Sequence, residues 1–521
     1  MILESVTLMV LTFSHTKTAE LMEGYHPSSV FHQLRYAILE RMKSGEDVIP
    51  LIQGRAEAKE DVIRAILSRA HPYLISEEGT GKTRLVRSIV DLLPPVPRIA
   101  GCPYNDDPAW GRRKLCPRCA SVADPVKEFG VEWVTGAERF SRVQGNEYTN
   151  EAKLLGLKDI QAIASGMSPD DPRTFTGTGV FRANRGLLFV DELPAIRTKV
   201  QVLLHPILEE QKTILEEYGW EYPLDLCVVA TGNPEGFSHV NEVPRPLIDR
   251  LETIYLDLPE EDVELGIMTG RVSRRGNPDP VPEAPRFSFD MPPEDSAKRD
   301  TFAPWWLLTL INRSVRQSRM CRWLERSSSI RGTTHSLDHT YSTALMRGSQ
   351  VASMGDAARG VKLALRGRMH LRQDLVEPED PGETFRRVDE LSDDLLRTAL
   401  ISMAEEMTPS WMVPEAVREL TDIIPLPRSR WADRIAQSAP AVRDIIGQLE
   451  RAGARTDGGR AFPDDAMLIK LAGRKKGVHR EYLGACAEFI ANILIANGSL
   501  TAPAGADIHV PREVSWAKGR S

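Results

Sequence analysis

The stretch LISEEGTGKTRLVRSIVDLL, residues 74–93, has the residue types of a loop that wraps phosphate groups. A Gly-Thr-Gly-Lys-Thr run at 79–83 follows an apolar run and opens an amphipathic helical pattern. In such units the backbone N–H groups and the positive end of the helix hold phosphate oxygens. Lys82 would neutralise β and γ oxygens, and Thr83 would offer its hydroxyl to Mg²⁺.

One position departs from the phosphate-loop pattern G-x-x-x-x-G-K-[ST]. Ser76 stands where the first glycine belongs. Serine is small, so the turn remains feasible at a modest conformational cost. The motif alone leaves open a working site, a decayed site or a chance glycine turn. The residues predicted to line the nucleotide here are Ser76, Glu77, Glu78, Gly79, Thr80, Gly81, Lys82, Thr83 and Arg84.

Two carboxylates end a second apolar run, RGLLFVDEL at 185–193. Asp191 could bind Mg²⁺ directly or through a water, and Glu192 could orient and deprotonate an attacking water. Alone, such a pair is a common solvent-facing strand end. Together with the loop around Lys82 it is far more specific, because phosphate hydrolysis needs both parts.

Two further polar residues could complete a phosphate-hydrolysing site. Asn233 follows another apolar run in VVATGNPEG, where it could hold the γ-phosphate or the water. The simpler interpretation, an Asn-Pro turn, is compatible with this role. Arg250, in PLIDRLE, is a candidate to reach the nucleotide of a neighbouring subunit and stabilise charge in the transition state. As an isolated residue it would be a surface charge.

The order of apolar and amphipathic stretches over about residues 48–259 predicts an α/β fold. Short apolar runs alternate with helical patterns, which is typical of a parallel sheet covered by helices. Beyond residue 300 the spacing is mainly helical. The predicted core strands are HPYLI, EWVTG, GLLFVDEL and LDLCVVATGN.

Composition excludes several classes of protein. The chain has 521 residues, too many for one core, with 41% hydrophobic and 27% charged residues. A net charge of −7 argues against a protein that coats nucleic acid. No apolar run reaches the roughly 18–20 residues that cross a bilayer, and the start MILESVTLMVLTF lacks the basic residues of a signal peptide. Six cysteines in so long a chain predict a reducing, cytoplasmic location.

In this order and spacing, the loop around Lys82, the Asp191–Glu192 pair and the segments around Asn233 and Arg250 resemble the AAA+ ATPases. The resemblance is in particular to the ATPase subunit of magnesium chelatase and its MoxR-type relatives. The blocks that carry the resemblance are EEGTGKT, RVQGNEYTNEAKLLG, GVFRANRGLLFVDEL, ATGNPEG and PRPLIDRLE. The segment SSSIRGTTHSLDHTYSTALMRG is similar to the sensor-2 part of the helical lid, and Arg331 matches the lid arginine that contacts the γ-phosphate. EEQKTILEEYGWEYPLDLCVVATGN resembles the hairpin that these proteins insert, and GVKLALRGRMHLRQD resembles the end of the lid.

The resemblance implies an AAA+ parallel-sheet P-loop core with helices on both faces, Mg²⁺-dependent ATP hydrolysis and a homo-oligomeric, hexameric ring. It also implies a partner protein, such as a von Willebrand-type or chelatase subunit. About 140 residues after 380 have no counterpart in it. The predicted divisions are an N-terminal extension (1–45), the core (46–259), a linker (260–300), the lid (301–378) and a mainly helical C-terminal domain (379–521).

Three cysteines form a separate cluster in an insertion at about 102–125. Cys102 precedes a Cys-x-x-Cys pair, Cys116 and Cys119. This spacing suits tetrahedral zinc with a fourth ligand still to be found, for which Asp106 is the local candidate. Reduced free cysteines in a loop and a redox pair are the alternatives.

Three functions remain in competition. The first is an ATP-driven ring that remodels a partner protein. The second is a sigma-54-type transcription activator, since TFTGTG at 174–179 is similar to the GAFTGA loop of that group. Its gap to Asp191 is too short, however, and no clear helix-turn-helix follows. The third is a nucleotide-binding assembly platform with little turnover, which Ser76 favours and the intact Lys82 and Glu192 oppose.

Overall fold

The computed structural model describes residues 25–76, 80–233, 243–257, 260, 263, 301–377, 380–454, 468, 472–502 and 506–516. The predicted strand or frayed end at the N-terminus and the segment 264–300 of the predicted linker lie outside these residues. The strands are β1 His71–Ile75, β2 Val96–Ile99, β3 Val131–Val134, β4 Phe140–Gln144, β5 Gly156–Lys158, β6 Phe175–Gly177, β7 Gly186–Asp191, β8 Lys212–Leu215, β9 Trp220–Pro223, β10 Leu226–Gly232, β11 Leu251–Tyr255, β12 Leu324–Arg326 and β13 His370–Leu371.

Five strands form a parallel sheet in the order β11-β1-β10-β7-β4. Every residue of β1, β7 and β10 is buried, which is why these strands read as continuous apolar runs. Alternate residues of β7 enter different hydrophobic clusters on the two faces: Leu187 and Phe189 on one, Leu188 and Val190 on the other. The sheet is therefore covered on both sides, as an α/β fold requires.

One predicted core strand was wrong. EWVTG forms part of β3, which pairs antiparallel with β2 in a separate two-stranded sheet. The remaining place beside β7 belongs to β4, FSRVQ, an edge strand with only Val143 fully buried. An edge strand keeps polar residues on its exposed side, so a search for apolar runs does not find it.

Eleven helices of eight residues or more occur among the described residues. They are α1 Val30–Ser44, α2 Ala56–Leu67, α3 Lys82–Val90, α4 Trp305–Gln317, α5 Ile330–Met346, α6 Met354–Arg366, α7 Pro381–Met407, α8 Val413–Ile423, α9 Trp431–Ser438, α10 Pro440–Ala454 and α11 Lys476–Ala496. Shorter helices span Pro117–Ala120, Pro125–Phe129, Glu151–Leu154, Ile160–Ala164, Gly179–Arg182, Thr198–Gln201, Leu204–Glu209 and Arg245–Ile248.

Local sequence explains the limits of α1. The Ser29 hydroxyl accepts a hydrogen bond from the His32 N–H at its start. Gly45 ends the helix in the left-handed region, at φ 75°, where a glycine has no steric penalty. The Asp225 carboxylate, just before β10, accepts from the Val30 N–H at 3.0 Å and so fixes the helix against the sheet.

The helices on both sides of the predicted lid boundary share one hydrophobic core. Trp306 of α4 stacks on Phe489 of α11, with ring centroids 4.2 Å apart and planes 15° from parallel. The same cluster extends from Phe302 to Val514. The predicted lid and C-terminal domain are thus packed as one helical unit, since a shared core of this kind gives them common stability. No helix in the described ranges is long and apolar enough to span a bilayer.

Candidate nucleotide site

The phosphate loop leaves the carboxyl end of β1. Ser76 is buried, its N–H donates to the Gly232 carbonyl at 3.3 Å, and its Oγ lies 2.7 Å from Thr80 Oγ1. The backbone of Ser76 is outside the left-handed region, so serine there requires no glycine-like conformation. The expected conformational cost of the replaced glycine therefore does not arise. Glu77, Glu78 and Gly79 lie outside the described residues.

Gly81 is the position at which the loop does need a glycine. Its φ is 97°, and a Cβ there would lie 2.9 Å from Ile52 Cδ1. Helix α3 begins immediately after it, with Lys82, Thr83 and Arg84 in the first turn. The start of a helix carries the positive end of its dipole, so this end of α3 favours an anion.

The Lys82 ammonium connects the loop to the next strand. Nζ donates to the Ser76 carbonyl at 2.8 Å and to Asn233 Oδ1 at 3.1 Å. Asn233 follows β10, which is the neighbour of β1 in the sheet. Two residues that were singled out separately in the sequence are therefore in direct contact, although 151 positions separate them.

Asp191 ends β7 and is hydrogen-bonded by Thr231, a residue that no sequence motif indicated. Thr231 of β10 donates from Oγ1 to Asp191 Oδ1 at 2.7 Å and accepts from the Glu192 N–H at 2.9 Å. Thr231 precedes the predicted Asn233 by two residues, at the end of a buried strand. A hydroxyl at that point was the signal that could have identified it.

The other neighbour of β7 supplies two more polar groups. Arg142 of β4 forms an ion pair with Asp191 Oδ2, and its Nη2 also donates to Gln144 Oε1 at 2.7 Å. Gln144 Nε2 in turn donates to Glu192 Oε2 at 3.1 Å. Both carboxylates at the end of β7 are thus hydrogen-bonded from β4, a contact that follows from the register of Gln144 beside Asp191.

Glu192 has an uncommon backbone conformation. Its φ is 56°, in the left-handed region, which a residue with a Cβ adopts at a cost of roughly 1 kcal/mol or more. A close approach accompanies it: a Cβ on Gly145 would lie only 2.1 Å from the Glu192 carbonyl oxygen. Such conformations occur disproportionately at functional sites, so this one supports a role for Glu192 beyond a solvent-facing strand end.

The two candidate arginines lie together at the amino ends of the strands, whereas the phosphate loop lies at the carboxyl ends. Arg250 immediately precedes β11, which runs parallel to β1 with Leu251 beside His71 and Tyr255 beside Ile75. Five strand residues at about 3.3 Å each put roughly 16 Å between Arg250 and the loop after Ile75. A single chain therefore does not bring Arg250 to its own phosphate loop.

Arg331 is placed with Arg250 and away from Lys82. Its Nη2 donates to Glu209 Oε1 at 2.5 Å, while Arg250 Nε donates to Glu209 Oε2 at 2.7 Å. Hydrogen bonds from Arg250, and then from Arg331, lower the pKa of the Glu209 carboxyl. The lid arginine and the core arginine therefore share one carboxylate on the same face of the molecule.

The lid is joined to the core by a buried charged group. Glu252 of β11 is fully buried, and Arg368 donates to its two oxygens at 3.0 and 3.2 Å. His335 of α5 contacts Oε1, and His339 Nε2 lies 3.2 Å from Oε2 without the alignment of a hydrogen bond. Burial by itself would raise the pKa of Glu252, but Arg368 and the two histidines outweigh it and hold the pKa well below the usual value.

The predicted cysteine cluster is brought together in the insertion. Cys102, Cys116 and Cys119 are buried free thiols, and the Asp106 carboxylate lies beside them. The ligand atoms of all four residues are within 4.8 Å of one another. The candidate fourth residue thus lies where the sequence spacing predicted it.

A comparison with protein families finds an AAA domain of the dynein-related subfamily at residues 134–251. The match begins after the phosphate loop and includes Asp191, Glu192, Asn233 and Arg250. The match covers less than a quarter of the chain.

Curated relatives are subunits of magnesium chelatase. The chain is 28% identical over 206 residues to the 38 kDa subunit from Acidiphilium rubrum, which covers 36% of this chain and 53% of that one. It is 28% identical over 315 residues to the chloroplastic ChlI subunit from Glycine max, covering 59% and 70%. This chain thus spans about half the length of the first relative.

Among solved structures, a model of the complex between the BchI and BchD subunits of magnesium chelatase matches 62% of this chain and 96% of that chain. The identity is 18% and the TM-score is 0.35. A likeness at that level adds nothing to the sequence comparisons.

Proposed function

We propose that this chain, which belongs to the AAA+ ATPase family, is an ATP-hydrolysing ring motor that remodels or activates a partner protein. The observation that carries the proposal is the contact between Lys82 Nζ and Asn233 Oδ1, at 3.1 Å. It links the phosphate loop to the strand whose Thr231 holds Asp191. The loop around Lys82, Asn233 and Asp191 therefore lie together at the carboxyl ends of the strands.

The oxygen donors at this edge suit Mg²⁺, which prefers hard ligands such as carboxylate and hydroxyl oxygens. Thr83 and Asp191 would hold the ion, which would neutralise charge on the phosphates. The N–H groups at the start of α3 and the Lys82 ammonium would bind the phosphates of ATP. Glu192 would position a water and accept its proton, with Gln144 orienting the carboxylate. Asn233 would contact the γ-phosphate or the water.

Arg250 would act on the nucleotide of an adjacent protomer, because it lies about a strand length from its own loop. Its pairing with Arg331 on Glu209 supports the same role for Arg331, so both arginines would serve the neighbouring site. An arginine supplied in this way stabilises charge in the transition state. A closed, hexameric homo-oligomer gives every site such a neighbour.

The partner is proposed by analogy. The relatives are subunits of magnesium chelatase and so work within a larger enzyme. For this chain we propose a von Willebrand-type or chelatase-type partner, met in the cytoplasm. The helical unit from Trp305 onward would pass the movement on, because Glu252 and Arg368 connect it to the strand next to the phosphate loop.

The sharpest test is the variant Glu192→Gln in the full-length protein. Removing a general base should lower the hydrolysis rate about 100-fold or more while ATP is still retained. Hydrolysis and bound nucleotide would be measured in the same samples, with the exposed Glu210→Gln as the matched control. Equal turnover in both variants would exclude Glu192 as the base. Wild-type protein that binds ATP but does not hydrolyse it, with or without partners, would favour the assembly platform.

A further inference from the structure

The buried group of three thiols and one carboxylate in the insertion has the composition of a metal site. Cys102, Asp106 and Cys116 are at most 1% exposed, and Cys119 is fully buried. All four potential ligand atoms lie within 4.8 Å of one another. Thiols are buried readily, but a carboxylate beside them is costly to bury without a compensating partner, and a metal ion would supply one.

The spacing between two of the thiols is compatible with a metal-bound pair. Cys102 Sγ and Cys116 Sγ are 3.8 Å apart. Zinc–sulfur bonds of about 2.3 Å in tetrahedral geometry separate two sulfurs by about 3.8 Å. A disulfide would need about 2.05 Å. The separation therefore fits tetrahedral coordination and excludes a disulfide between these two residues in this structure.

We propose that Cys102, Asp106, Cys116 and Cys119 bind one structural Zn²⁺, with Asp106 as the fourth ligand. No position is left open for water or substrate, which is the property of a structural zinc site.

Backbone and side-chain hydrogen bonds already orient these ligands. The Asp106 N–H points to Cys102 Sγ at 3.4 Å, and the Cys119 N–H points to Cys116 Sγ at 3.5 Å. Both would stabilise thiolates. Asp106 Oδ2 accepts from the Cys116 N–H at 2.7 Å, and Oδ1 accepts from the Tyr222 hydroxyl at 2.6 Å. Each carboxylate oxygen has two lone pairs, so one remains for the metal.

The residues that hydrogen-bond to Asp106 and to its partner Tyr222 show what the ion would connect. Tyr222 is part of β9, in the hairpin that β8 and β9 form, and Asn184 Nδ2 donates to the same hydroxyl at 3.1 Å. Asn184 also donates to the Tyr104 carbonyl at 2.8 Å, within the loop of Cys102 and Asp106. Zinc would therefore fix the insertion against this hairpin. The zinc site uses none of the proposed nucleotide ligands and does not depend on ATP hydrolysis.

The first experiment is metal analysis of the full-length protein, purified under reducing conditions. We expect about one zinc per chain in the wild type. Cys116→Ser and Asp106→Ala should lose most of it, while Cys227→Ser and Cys486→Ser, which change buried cysteines outside the cluster, should retain it. Wild-type protein without zinc that also fails to take up added Zn²⁺ would overturn the site.

A second measurement uses the wild-type protein, so that the proposal can be tested even if the variants fail to fold. Replacement by Co²⁺ should give the intense visible bands of a tetrahedral ion and the near-ultraviolet bands of thiolate ligands. X-ray absorption of the zinc form should show three sulfur ligands and one oxygen. Four sulfurs would exclude Asp106 as the ligand. A Cys116–Cys119 disulfide, found by mass spectrometry of protein trapped without reductant, would replace the metal site by a redox pair.

Discussion

Arg142 forms an ion pair with Asp191, the carboxylate proposed to hold Mg²⁺. Arg142 is on the edge strand β4 and is 46% exposed, whereas the carboxylate is largely buried. Since Thr231 takes the other oxygen of Asp191, a magnesium ion that binds this carboxylate directly must compete with the guanidinium.

Arg142→Gln should therefore lower the Mg²⁺ concentration that gives half-maximal ATP hydrolysis. A half-exposed pair is worth no more than about 1 kcal/mol, so the change should be at most about fivefold. The measurement is ATP hydrolysis across a magnesium titration. Arg173→Gln, which removes an exposed arginine–aspartate pair, should leave the titration unchanged. A higher magnesium requirement in Arg142→Gln would show that Arg142 assists the site.

Mixed rings should reveal whether the arginines act between protomers. Arg250→Ala and Glu192→Gln chains should each be nearly inactive. When the two are mixed, an intact Glu192 in one chain can meet an intact Arg250 from its neighbour, so activity should exceed the average of the separate samples. The same holds for Arg331→Ala with Glu192→Gln. A mixture that hydrolyses ATP only at that average would place both arginines in their own chain's site.

Breaking the buried pair between lid and core should destabilise the protein. Glu252→Gln removes the buried charged partner of Arg368 and leaves it only the partly exposed Asp249, at a cost of up to about 3–5 kcal/mol. The free energy of unfolding would be obtained from denaturant titrations. Glu406→Gln breaks the more exposed pair with Arg313 and should cost about 1 kcal/mol or less. Similar losses in the two variants would contradict the anchoring role of Glu252.

His71 should make stability depend on pH. It is buried in β1, its Nδ1 accepts from the Val228 N–H at 3.1 Å, and burial lowers its pKa from 6.5 to about 4. Between those two values the unfolded chain binds a proton that the folded chain does not. The stability is therefore fully present above about pH 6.5 and falls as the pH approaches 4, by about 3 kcal/mol for this group.

Unfolding titrations at about pH 7.5, 6 and 5 would measure this dependence, because the first pH lies above the window and the other two lie within it. His71→Gln should flatten part of the slope, while the exposed His479→Gln should not change it. The pH dependence that remains in His71→Gln would include a contribution from His370, because burial also lowers the pKa of that residue to about 4. An unchanged slope in His71→Gln would contradict the assignment.

Features that depend on short stretches of sequence were predictable. The strand, loop and helix around Lys82 follow one another within 20 residues, and the apolar runs of β7 and β10 are buried on both faces. Local propensity and burial set such elements. The edge strand β4 and the oxygens and nitrogens that Thr231, Arg142 and Gln144 contribute were not predicted, because they depend on which strands lie side by side.

The sequence by itself determined the α/β core, the polar residues at the ends of its strands and the cysteine spacing, since each depends on neighbours along the chain. Only the tertiary structure decided that Lys82 meets Asn233, that Ser76 needs no glycine conformation and that Arg331 lies with Arg250. It also decided that Tyr222 supports Asp106. These contacts arise from strand order and register, which bring together residues that no local pattern relates.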